Sequence, residues 1–187
     1  MTTPRRIGCC ITAHGFGHAT RAAAVMEALG RRLPVDCTIV TAAPAQLFAE
    51  SLSAPHTVHS MVVDIGLVQR DAMTEDLDAT LAALDGFYPM AERLVDRVAG
   101  LLRGCELVLC DIAPLGIAAA ARAGIPSVLI ENFTWDWIYA GYLDRCPGLA
   151  RHIDSLAGLF ARADYRTHAA PAGRAAAGAL VGQPGAR

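Results

Sequence analysis

RIGCCITAHGFGHATRAAAVMEALGRRL, residues 6–33, runs from an apolar stretch without helical period into a loop with two glycines and two histidines, then into a segment rich in helix formers. The reading is strand, loop, helix. The pattern recurs at VDCTIVTAA then PAQLFAESL, and at HTVHSMVVD before a helical stretch from about residue 74 to 103. It returns at ELVLCDIA then PLGIAAAARAG, and at IPSVLIENFT then WDWIYAGYLDR. Strands apolar on both faces, alternating with helices, predict a parallel sheet covered on each side. The expected fold is a Rossmann-like doubly wound α/β domain over residues 5–165. Residues 166–187, ending in THAAPAGRAAAGALVGQPGAR, change to alanine, glycine, proline and arginine and read as a poorly ordered tail.

At 187 residues and 53% hydrophobic, the chain carries one ordinary core. Sixteen basic residues, all arginine, stand against eighteen acidic ones, so no basic stripe marks a nucleic-acid partner. The six cysteines form no CxxC pair and lie mostly in apolar runs, the usage of buried reduced thiols in a cytoplasmic protein. The first apolar stretch is too short to span a membrane and is interrupted by histidines and glycines where a secretory core would continue. No transmembrane segment is expected.

Doubly wound sheets bind ligands outside the carboxyl ends of their strands, where strand order reverses. Those ends carry residues 14–18, Asp64, Asp111 and Asn132. A dinucleotide fingerprint needs three glycines, but Gly15 and Gly17 are followed by Thr20, and the second strand ends in Thr41, Ala42 and Ala43 without an acid for a ribose. GxxxxGK[ST] is absent, so neither a nucleotide cofactor nor a P-loop is expected. A metal at His14 and His18 lacks a third ligand nearby, and the glycines between them argue for a loop. The bland alternative is a tight glycine turn that the histidines cap or fill.

Asp111 weighs against that alternative. In a doubly wound sheet the first and fourth predicted strands are neighbours across the reversal, which converges the His18 loop on the Asp111 carboxylate. A carboxylate beside imidazole fixes its tautomer and stabilises the imidazolium formed on proton capture, giving a general base for a hydroxyl. Asp111 as N-cap of the following Pro-led helix is the competing reading.

HGFGHATR and, more than a hundred residues later, ENFTWDWIY resemble the two signature stretches of the glycosyltransferase-like domain at the N-terminus of L-arabinokinases and of related bacterial glycosyltransferases. The intervening VLCD agrees in order and spacing, and the resemblance covers residues 6–164. It implies the acceptor-binding, base-carrying N-terminal half of a GT-B fold, with His18 as base and Asp111 orienting it. The reaction implied is inverting and metal-independent, without a bound cofactor; a nucleotide-sugar donor would be bound only with a C-terminal domain. Ala13 replaces a common family glycine, and the tail does not resemble the crossing into a donor domain, so a truncated chain inactive by itself is expected.

Around this dyad, His14, Gly15 and Gly17 are candidate substrate contacts. Asn132, Trp135 and Asp136 are candidates at the cleft rim, where an aromatic face and short polar groups suit a sugar or polyol acceptor. NFTWDWIY equally reads as packing, with Thr134 as N-cap, Asp136 against the helix dipole, and Trp135, Tyr139 and Tyr142 at helical spacing. Asp64 and Asp71 read as ordinary loop acids. Arg21, one turn into the first helix, suits either a phosphate or a carboxylate. Beside the transferase half stand a noncatalytic sugar-binding or regulatory module and, third, a cofactor-dependent oxidoreductase.

Overall fold

A computed structural model describes residues 3–168. Six strands form one parallel sheet: β1 (Arg5–Ile11), β2 (Val35–Thr41), β3 (His56–Ser60), β6 (Leu107–Asp111), β7 (Ser127–Glu131) and β8 (Tyr165–His168). Between β3 and β6 lies a two-stranded hairpin, β4 (Gln69–Asp71) and β5 (Thr74–Glu75). The large sheet runs β3-β2-β1-β6-β7-β8, so the chain builds outward on one side of β1 and then crosses to build outward on the other. The reversal falls between β1 and β6, where Cys10 pairs with Cys110 and Ile11 with Asp111.

Alternation along the central strand assigns its two faces. Cys9 and Ile11 join Ala19, Ala22, Ala23 and Met26 of α1 (Phe16–Gly30) and Phe48 of α2 (Ala45–Ser51) in one core. Cys10 turns to the other core, with α3 (Leu77–Phe87), α4 (Glu92–Leu101), α5 (Pro114–Ala123), α6 (Trp135–Ala140) and α7 (Ala150–Phe160). In α5, residues 114–120 are all buried, as a helix packed between sheet and neighbouring helices must be. All six cysteines are buried free thiols.

Three expectations need correction. The helix expected over residues 74–103 is two helices, broken at Tyr88-Pro89: Tyr88 is extended because a residue before proline is pushed out of the helical region, and proline has no N–H to continue the ladder. Its first residues, Thr74 and Glu75, belong to the hairpin. At the other end, Arg166, Thr167 and His168 are not tail but the end of β8, paired to β7 in register. The rest of the expected tail lies outside the described residues. Among the described residues, no helix is long and apolar enough to cross a membrane.

Candidate active site

Parallel pairing of β1 and β6 continues one step past the strands, where the Thr12 N–H donates to the Asp111 carbonyl at 3.1 Å. The loop then turns through Gly15, whose φ of 80° lies where side chains are strained, and α1 begins. His18, buried in the first turn, is thereby placed over the β6 end. Its Nδ1 lies 2.9 Å from Asp111 Oδ1, and Asp111 is 1% exposed.

Arg21 completes the cluster. Its Nε donates to Asp111 Oδ2 at 2.8 Å, Nη2 donates to Oδ1 at 2.5 Å, and Nη1 donates to Asn132 Oδ1 at 3.0 Å. A guanidinium across both oxygens compensates a carboxylate taken out of water. The two readings left open for Arg21 are thus resolved in favour of the carboxylate. Asp111 is no N-cap, since Ala113 holds that position for α5. His18 Nδ1 also lies 3.1 Å from Arg21 Nη2, so it faces both a carboxylate acceptor and a guanidinium donor; donation from Nδ1 to Asp111 leaves Nε2 as acceptor. Phe133 meets the imidazole edge to face, with ring centroids 5.7 Å apart.

A second polar group sits beside the first. Asp64, expected as a loop acid, is 7% exposed and accepts from Trp135 Nε1 at 2.7 Å. Burial pushes its carboxyl up to about 6, opposed by hydrogen bonds from Thr12 and Trp135. Trp135 is therefore not on a cleft rim: it is 1% exposed, stacked on Tyr139 and edge-on to His14 at 4.8 Å. Tyr139 donates its hydroxyl to the Ile65 carbonyl at 2.7 Å, which holds the same loop down. Gly66 makes this packing possible, because a Cβ there would lie 2.6 Å from His14 Nδ1 and 2.9 Å from Trp135 Cη2. Burial, followed by the neighbouring His18, lowers the pKa of His14.

His14 and Asp64 share a pocket of about 270 Å³ with Val62, Val63, Leu67 and Val68. Asn132 is exposed and reaches the dyad through Arg21, whereas Asp136 lies half-buried in the first turn of α6. Thr134 occupies the N-cap position of α6 without a capping side-chain bond. Gly17 departs from its expected role in the turn: it lies inside α1, and a Cβ there would meet nothing within 4 Å. Asp71, expected as a loop acid, is the last residue of β4, where its carboxylate accepts from the Met73 N–H in the hairpin turn. Among the described residues, no three His, Cys, Asp or Glu side chains form a group that fits a metal ion. A larger cavity, about 480 Å³, opens among Tyr88, Val95, Ala118 and Leu159, away from the strand ends.

No family model matches the chain. L-arabinokinase of Arabidopsis thaliana is 38% identical over 143 residues, which cover 71% of this chain and 13% of that protein. Two solved structures share the fold. The glycotransferase of kitacinnamycin superposes with a TM-score of 0.50 at 17% identity, over 86% of this chain and 41% of its own. Arabidopsis thaliana UGT89C1, complexed with UDP-L-rhamnose, gives 0.51 at 11% identity, over 91% and 43%. The chain thus spans less than half of each of these proteins, and what it shares with the two structures is a GT-B-like fold.

Proposed function

We propose that this chain, a GT-B-like domain related in sequence to L-arabinokinase, is the acceptor-binding, base-carrying half of an inverting glycosyltransferase that uses a nucleotide-sugar donor. The observation that carries the reading is the 2.9 Å contact of His18 Nδ1 with buried Asp111. Nε2 takes the proton of an acceptor hydroxyl while its oxygen bonds to the anomeric carbon. The bond from that carbon to the nucleoside diphosphate breaks with its electron pair, and a single displacement inverts the centre. Asp111 stabilises the imidazolium, and the pocket at His14 and Asp64 takes the acceptor, a sugar or polyol.

Donor contacts would come from a C-terminal domain. Without them the reacting atoms lose the positioning that otherwise supplies roughly 7–11 kcal/mol, so the chain alone transfers no sugar. Titrating it with UDP-sugars in a calorimeter should show no micromolar binding and no released diphosphate; tight donor binding would overturn the assignment. Joined to a donor domain, His18→Ala should lower kcat roughly 100- to 10,000-fold, the usual share of a positioned base. Undiminished turnover there would remove His18 from the role.

One observation favours a second reading, a noncatalytic sugar-binding module: Arg21 engages both Asp111 oxygens and so weakens the carboxylate's pull on an imidazolium. A domain that binds acceptor yet never transfers, even beside a functional donor domain, would establish it.

A further inference from the structure

Beyond the dyad, where β7 and β8 end, a separate cavity of about 370 Å³ is lined by Glu131, Asn132, Asp136, Trp137, Arg166 and His168. Its volume falls in the ~300–1,000 Å³ range of small-molecule sites. Trp137 is 67% exposed, the opposite of its buried neighbour Trp135, and presents an indole to the cavity. Facing it is a fixed polar wall. Glu131 is 3% exposed, and both its carboxylate oxygens are held by Arg166, at 2.8 and 2.9 Å. Asp136 adds a carboxylate with one buried oxygen that has no hydrogen-bond partner among the described residues.

Charge and shape narrow the ligand. Arg166, the one guanidinium among the described lining residues, is already paired in bidentate fashion, which leaves Asp136 as the carboxylate without a partner there and disfavours a phosphate or carboxylate. An aromatic plane beside planar donors and acceptors fits a molecule with an apolar C–H face and a rim of hydroxyls. We propose that this cavity binds a neutral pyranose ring, its C–H face on Trp137 and its hydroxyls on Asp136 and Asn132. Asn132 also accepts from Arg21, so the ring lies one side chain away from the His18–Asp111 cluster. The proposal concerns binding and needs no transfer step.

Saturation-transfer NMR of the full chain with methyl β-D-glucopyranoside and methyl β-D-galactopyranoside tests it. The wild type should show saturable transfer to the ring C–H protons, with Trp137→Ala weakening binding about tenfold or more and Trp137→Phe restoring part of it. Asp136→Asn should weaken binding in the same direction. Met73→Ser, which removes an exposed apolar side chain outside this lining, should leave it unchanged. The corresponding glucuronide should bind more weakly than the neutral glycoside. Absence of saturable binding to about 50 mM, equal binding by Trp137→Ala, or preference for the glucuronide or inorganic phosphate would each overturn the proposal.

Discussion

Two aspartates end up buried at the carboxyl edge of the sheet, and they are held in different ways. Asp111 is set against a permanent cation, with Arg21 on both oxygens and His18 on one. Asp64 receives only neutral donors, Thr12 and the Trp135 indole, and burial drives its carboxyl up to about 6. Burial alone therefore does not determine what a carboxylate can do: Asp111 is paired with a guanidinium, whereas Asp64, with neutral donors only, is pushed up by burial. The first arrangement holds a carboxylate between Arg21 and His18, and the second sets one in the wall of the pocket it shares with His14.

The sharpest test of this contrast is removal of each acid. Asp111→Ala leaves Arg21 facing a buried site without its counter-ion and should lower stability by about 3–5 kcal/mol in urea unfolding. Asp64→Ala takes their acceptor from two neutral donors, the Trp135 indole and Thr12, and should cost about 1–3 kcal/mol. Equal losses would erase the distinction.

The pH dependence comes next. The folded pKa of Asp64 is raised above its unfolded value, so the folded state binds the extra proton and the group's effect on stability worsens as pH rises from about 4 to about 6. Asp64→Asn should therefore gain on the wild type across that window, by up to about 2–3 kcal/mol at pH 7 relative to pH 4. A difference that stays flat with pH would mean that Asp64 titrates normally.

Two glycines give the smaller effects. Gly66→Ala forces His14 and Trp135 apart and should cost about 1–3 kcal/mol, with a change in the indole fluorescence of Trp135. Gly17→Ala, in an open helical position, should be neutral or stabilise by up to about 1 kcal/mol while preserving the fold. Any loss of acceptor binding in Gly17→Ala, with stability intact, would assign that glycine to ligand approach.

Much of this was legible in local pattern. Apolar runs broken by polar loops give the alternation, and doubly wound topology alone puts the Asp111 strand beside the first. The break in the long helix was also written in YPM at residues 88–90, since proline carries its own stop signal. Tyr165–His168 was not readable as a strand, because a polar edge strand lacks the apolar run of the strands inside the sheet. Trp135 and Asp64 lie 71 positions apart, and neither residue signals that the other will bury it. Arg21 was undecided for the same reason: its two possible partners differ only in three dimensions.

The buried thiols provide an internal clock. With all six cysteines inside the fold, a thiol-reactive dye gains access only when the structure opens locally or globally. Cys10 and Cys110 flank the junction of β1 and β6, whereas Cys146 precedes α7, so the order in which they are modified reports which part of the domain opens first. Mass spectrometry of the labelled chain would thus time the opening of the sheet's central junction against that of its periphery, without any engineered probe.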